Sequence, residues 1–181
     1  MSWKKRGISP IVATVLLVLL TMTAALIIAG ILIPFTKKNL NESTSCVAYS
    51  NYFKFDESFD TNYNCYNATS KLHGFSVRAS NENLSSQIIG FEVLFLKGGI
   101  SEKASARDGD DVGTATGQIR MLEPSISNIT IPKEGGVKTY VYQGTDSFTD
   151  VEIYPVLKTG KSCDKSDRIK LLSCDDVGTA I

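Results

Sequence analysis

Apolar residues run along this chain in two unlike patterns, and the change falls near residue 38. From Ile8 to Phe35 there are 28 residues without a charged side chain, and Ser9, Thr14, Thr21 and Thr23 are the only hydroxyls among them. As a helix this run is about 42 Å long, more than the roughly 30 Å of hydrocarbon in a bilayer. Its apolar residues fall on every side of the helix, which marks a membrane span or a fully buried helix. No globular core built from the remaining residues is large enough to wrap it.

Past Lys38 the pattern shortens. Residues Asn39 to Ser45 are polar and read as the exit from the helix. Gly74 to Ala79 alternates. In Ile88 to Leu96, Phe91, Val93 and Phe95 share one face of a strand, opposite Glu92, Leu94 and Leu96. Further strands are expected at Ile126–Ile131, Val137–Tyr142, Val151–Leu157 and Arg168–Leu172, with Gly135-Gly136 supplying a turn before Val137. Pro155 argues for an edge or a strand end. The polar stretch Gly98 to Gly117 is expected to be an exposed loop. Short strands at spacings near ten residues predict an antiparallel β-sandwich. The expected fold is therefore α+β: a helix over 8–38, then a β-sandwich domain over 39–181.

Charge refines this picture. The formal net charge is zero, but Lys4, Lys5 and Arg6 precede the apolar run with no acid beside them. From Asn39 onward there are 14 basic and 19 acidic residues. A mildly acidic outer domain offers no footing for nucleic acid. Three cations before the run, the free amino terminus and two cations after it (Lys37, Lys38) favour a single span with the N-terminus inside and the long domain outside. An ordinary cleaved signal fits poorly, because its apolar core is usually 7–15 residues and ends at a small-x-small site.

The segment Lys4-Lys5-Arg6-Gly7-Ile8-Ser9-Pro10-Ile11-Val12-Ala13-Thr14-Val15-Leu16-Leu17 resembles the class III signal of archaeal type IV pilins and archaellins. The resemblance implies a leader of residues 1–7, cut between Gly7 and Ile8 by a prepilin peptidase, with the apolar helix kept on the mature protein. Pro10 would then lie in the first helical turn, where a missing N–H costs nothing. The fifth mature position is Val12 rather than the Glu usual in bacterial pilins, so a charge-based docking register is not implied. The resemblance covers roughly residues 4–36. It implies partners: other copies of the chain and related pilins in a helical filament, the peptidase, and a membrane.

Four cysteines, Cys46, Cys65, Cys163 and Cys174, follow the apolar run. Outside the cytosol they read as two disulfides, with three connectivities open. Local pairing, Cys46–Cys65 and Cys163–Cys174, is the preferred one because short loops close most readily. Zinc is not expected, since there is no CxxC and the lone His73 lies near no cysteine. Four sequons, at Asn41, Asn67, Asn83 and Asn128, are candidate glycan acceptors. Asn128 lies in an expected strand and is the one whose exposure is least expected.

No phosphate loop, GxSxG or HExxH occurs. Asp108-Gly109-Asp110-Asp111 lacks the spacing of a calcium loop and reads as solvated. No enzyme activity, cofactor or metal is expected. The leading expectation is a pilin-like filament subunit. The main rival is a non-polymerising, membrane-anchored binding or adhesion domain, and a hydrolase subunit carrying the same signal is a third.

Overall fold

In the computed structural model, residues 10–58, 62–112, 115–178 and 181 are described, with side chains at 37–45 left out of the description. The leader cations Lys4, Lys5 and Arg6 and the proposed Gly7–Ile8 cut lie outside the described residues. The chain divides into two compact units, Met1–Ser45 and Cys46–Ile181.

The first unit holds the helix α1, Pro10–Val47, whose last two residues belong to the second unit. It runs past the expected end at residue 38, because the polar stretch after Lys38 contains no Gly or Pro to stop it. Thr14, Thr21 and Thr23 each turn their hydroxyl back to the carbonyl three residues earlier, at 2.9–3.0 Å. Thr36 does the same toward Leu32 at 2.8 Å. Pro34 is inside the helix, so the carbonyl of Gly30 lacks its usual amide donor.

The second unit is a two-sheet sandwich, as expected. Its strands are β1 Phe53–Phe55, β2 Cys65–Asn67, β3 Leu72–Ala79, β4 Ile88–Lys97, β5 Ile100–Arg107, β6 Ile119–Met121, β7 Val137–Gln143, β8 Asp150–Leu157, β9 Asp167–Lys170 and β10 Leu172–Ser173, followed by the short helix α2 Cys174–Val177. One sheet has the order β10-β2-β3-β7-β6, with β1 also on β3; the other has the order β5-β4-β8-β9. Every pairing is antiparallel except β10 with β2.

The core is aromatic, and the alternation in β4 builds it. Phe91, Val93 and Phe95 are fully buried against Phe75, Tyr140 and Tyr142 of the facing sheet. The Phe95 and Tyr142 rings stack at 4.1 Å, and Phe91 meets Tyr140 edge-on at 5.1 Å. Such pairs add to the stabilisation from area burial alone. Gly90 sits where any Cβ would run into the Ala106 backbone of β5, so the strand's glycine is required by a close approach.

Three strand expectations are corrected. The supposed loop after Lys97 contains β5, paired with β4 along its whole length. Gly98 and Gly99 both have positive φ, 53° and 90°, which suits a two-residue hairpin whose twist matches the strands. Its inward residues, Ala104 and Ala106, are small, so the alternation carries little hydrophobic signal. The segment 126–131 is not a strand; only Asn128 makes an isolated bridge, to Asp111. The expected last strand is broken at Leu171, with β9 in one sheet and β10 in the other. Pro155 lies inside β8, beyond the part of β8 paired with β9. Its carbonyl accepts from the Cys163 amide at 2.8 Å, so its missing N–H falls on a side that no strand covers.

Candidate functional site

Pro10–Thr36 is long and apolar enough to cross a membrane, with 27 residues at a mean hydropathy of 2.8, and none of that segment is buried within the chain. Its hydroxyls are satisfied by its own backbone, so the helix presents no side-chain hydrogen-bonding demand to its surroundings. At Gly30 an added Cβ would meet nothing within 4 Å. The helix itself therefore does not require glycine there.

In the second unit the four cysteines pair as Cys46–Cys163 and Cys65–Cys174, with Cα separations of 5.2 and 5.0 Å. The local pairing is overturned by strand order. β1 and β2 lie end to end along one edge of β3, with Phe53 opposite Ala79 and Cys65 opposite Gly74. That offset holds Phe53 and Cys65 about 17 Å apart along the edge, and Cys46 lies instead against Cys163, three residues before the Ser166 that holds Phe53. Cys163 precedes β9 of one sheet, whereas Cys174 follows β10 of the other.

The chain enters the sandwich through β1, which bridges both sheets. One edge pairs with β3. On the other, the Phe53 amide donates to Ser166 Oγ at 3.1 Å, and that hydroxyl donates to the Phe53 carbonyl at 2.8 Å. The Phe55 amide donates to Asp167 Oδ2 at 2.8 Å. The Phe53 side chain is fully buried, with its ring 5.4 Å from that of Phe91. The alternation Phe53-Lys54-Phe55 was a legible signal, but three residues are too few to stand out.

Between β1 and β2 the edge of β3 has a gap that a side chain fills. Asn64 Oδ1 accepts from the Ser76 amide at 2.8 Å, and its Nδ2 donates to the Asp56 carbonyl at 2.7 Å. Beside it, Arg78 donates to Asp56 Oδ1 through Nε and Nη2, at 3.1 and 2.9 Å. Burial works to raise the Asp56 pKa, but the hydrogen bonds from Ser58 and Arg78 outweigh it and hold the carboxyl below its ordinary value. Burial opposes ionisation of Glu152 as well, and Tyr154, Lys165 and Arg168 together keep its pKa low. In both pairs the carboxylate is buried while its cationic partners are about half exposed.

His73 is wholly buried among Phe95, Tyr142 and Phe148. Its Nε2 accepts the Phe148 amide hydrogen at 2.9 Å, and burial pushes its pKa down to about 4. Among the described residues no three His, Cys, Asp or Glu side chains are grouped to hold a metal. Asp108 is engaged by the Ile131 amide and by Lys133, each at 3.0 Å.

The sequons differ in setting. Asn41 falls in α1, where its side chain is outside the description. Asn67 is half-buried, and its Oδ1 accepts the Thr69 and Ser70 amides at 3.0 Å. Asn83 is exposed. Asn128, expected to be the least accessible, is also exposed; its Nδ2 donates to the Gly109 carbonyl at 3.2 Å and to Asp111 at 3.3 Å. A polar hollow of about 590 Å³ lies beside β1, lined by residues that include Ser50, Lys54, Arg78, Asn81 and Glu82.

No protein-family model and no characterised protein matches the sequence. Among solved structures the chain is similar to astrotactin-2, described as a conserved vertebrate-specific and perforin-like membrane protein involved in neuronal development. The TM-score is 0.34 with 9% identity, over 67% of this chain and 21% of that one. The chain thus spans about a fifth of that protein's length.

Proposed function

We propose that this chain is a pilin-like structural subunit of an archaeal type IV pilus-type surface filament, made as a single-span precursor with its sandwich outside and cut between Gly7 and Ile8. The observation that supports this best is the segment Pro10–Thr36, apolar on all sides and unburied within the chain. Such a surface needs an apolar environment along its full length. A bilayer supplies it before assembly, and packing against other copies supplies it afterwards. Burying such a helix removes on the order of 2,000 Å² or more of apolar surface, worth tens of kcal/mol at about 25 cal/mol/Å². A filament built this way does not dissolve spontaneously. The sandwich then forms the outer sheath. Its buried carboxylates Asp56 and Glu152 are engaged by Arg78, Lys165 and Arg168, and its buried His73 by the Phe148 amide, which fits a structural role better than an enzymatic one.

Electron microscopy of sheared cell-surface material, with mass spectrometry of the subunit's N-terminus, tests the reading. Filaments containing this chain with Ile8 as first residue are expected. A surface-exposed protein beginning at Met1 or Ser2, with no filament recovered, replaces this reading with the membrane-anchored binding domain.

A further inference from the structure

We infer that the Cys46–Cys163 disulfide is a mechanical bypass, which keeps tension entering through α1 from pulling β1 out of the sandwich. The inference rests on the reading that α1 is held in a bilayer or a filament, so that any pull on the domain is resisted at Cys46.

Three observations carry it. The first is that β1 is structurally central and weakly fastened. It pairs with β3 over three residues, with one flanking backbone bond at each end. Its other edge is held by the side chains of Ser166 and Asp167 rather than by a strand, and Phe53 and Phe55 are core residues in contact with Phe91 and Phe75. Extracting β1 therefore opens the aromatic core and separates the two sheets at that margin. The second is that β1 comes soon after the helix. Tension on a reduced chain would run from Cys46 through the buried Tyr49 and Tyr52 into Phe53. Edge strands loaded from one end lose their hydrogen bonds one at a time, so a strand this short resists less than one whose bonds are loaded together.

The third is the place of the crosslink. Cys163 lies three residues before Ser166, whose hydroxyl holds both the amide and the carbonyl of Phe53. The disulfide and this side-chain latch therefore close one small ring: Cys46 to Phe53 on one arm, Cys163 to Ser166 on the other. With the disulfide made, force arriving at Cys46 passes to Cys163 and leaves the arm from Val47 to Tyr52 slack. From Cys163 the load enters the β8–β9 connection. β8 is paired with β4 along its length and flanked by β9, so the load meets two long pairings instead of the bonds of a three-residue strand in turn. Pairing Cys46 with Cys65 would also have taken β1 out of the load path, but it would have passed the load to β2, which is only three residues long. Reduction of the bond turns the same site into the weakest point of the domain, which makes its response to force redox-dependent.

The test is single-molecule pulling of the full chain in detergent micelles. One handle is placed at the N-terminus and one on an azide-bearing residue at position 100, where Ile100 is exposed at the start of β5. The double variant Cys46→Ser/Cys163→Ser is expected to show an extra early rip at under half the force of the first sandwich event in the wild type. Its length should be no more than the chain between Cys46 and Cys65. Wild type should show no such rip. If the double variant does not fold, reducing folded wild type in the trap should produce the same early rip. The inference is overturned if the early rip occurs in oxidised wild type, if it is missing after the bond is removed or reduced, or if the sandwich then opens in one whole-domain event. The last result would make the disulfide an ordinary fold staple. Because single chains are pulled, the outcome does not depend on whether the protein polymerises, and failure to find filaments would not mimic failure here.

Discussion

His73 Nε2 accepts the amide hydrogen of Phe148 at 2.9 Å in the interior of the sandwich, a bond that only the neutral imidazole can accept. Its pKa is pushed down to about 4 by burial, below the unfolded value near 6.5. Between those values the unfolded chain binds the proton that the folded one refuses, so stability rises with pH across this window. A penalty absent above pH 6.5 should grow as pH falls and level off near pH 4, at about 3 kcal/mol. Urea unfolding of the oxidised protein at pH 7, 5.5 and 4 measures it. His73→Leu should cost stability at pH 7 by orphaning the Phe148 amide, yet flatten the slope between pH 6.5 and 4. An unchanged slope in the variant would show that other groups set the pH dependence. Below about pH 4 a separate loss is expected as Asp56 and Glu152, whose pKa values are lowered, take up protons.

Asn64 stands in for a missing stretch of strand, and its carboxamide uses both ends. Asn64→Leu fills the volume but orphans the Ser76 amide and the Asp56 carbonyl, both tied to it now. The expected loss is about 2–4 kcal/mol. Asn64→Asp keeps an acceptor for Ser76 but sets a buried carboxylate oxygen against the Asp56 carbonyl, so at pH 7 it should cost at least as much. Chemical denaturation of both variants at pH 7 gives the comparison, and a clearly smaller loss in Asn64→Asp would mean that the bond to the Asp56 carbonyl matters little.

Non-reducing peptide mapping should recover Cys46 linked to Cys163 and Cys65 linked to Cys174. Each bond closes a loop of more than a hundred residues, with sequence separations of 117 and 109, so removing either should cost about 4 kcal/mol if chain entropy dominates. Peptides joining Cys46 to Cys65 would contradict the pairing described above.

Gly30→Leu separates assembly from anchoring. Within one chain the added side chain meets nothing near Cβ, and the helix stays apolar, so membrane insertion should be unaffected. In a packed filament core, overpacking typically costs about 1–3 kcal/mol per site, repeated in every subunit. Ala24→Leu tests a second face of the helix. Shorter or absent filaments with normal membrane levels of the protein are expected, by quantitative immunoblot and microscopy. Filaments of undiminished length in both variants would place these positions away from any helix contact.

Among the sequons, Asn83 is expected to carry a glycan most fully. It is exposed, whereas Asn67 is half-buried with its oxygen holding a turn, and the Asn128 amide is engaged by Gly109 and Asp111. Glycopeptide mass spectrometry measures occupancy at each site. Higher occupancy at Asn67 than at Asn83 would indicate that modification precedes folding.

What the sequence determined by itself was whatever depends on near neighbours along the chain. The charge-free run after Gly7 identifies the long helix without any tertiary information. The alternation of Phe91, Val93 and Phe95 points one face of β4 into the core, because side chains of a strand alternate whatever it pairs with. The tertiary structure decided what depends on which distant segments meet. β5 stayed hidden because its inward residues are alanines, whose place in the core comes from the large Phe91 and Val93 opposite them. The last strand divides at Leu171 because two sheets compete for its halves. The disulfides join Cys46 to Cys163 and Cys65 to Cys174 because, once strands are ordered in sheets, distance in space and not the length of the intervening chain decides which sulfurs can touch.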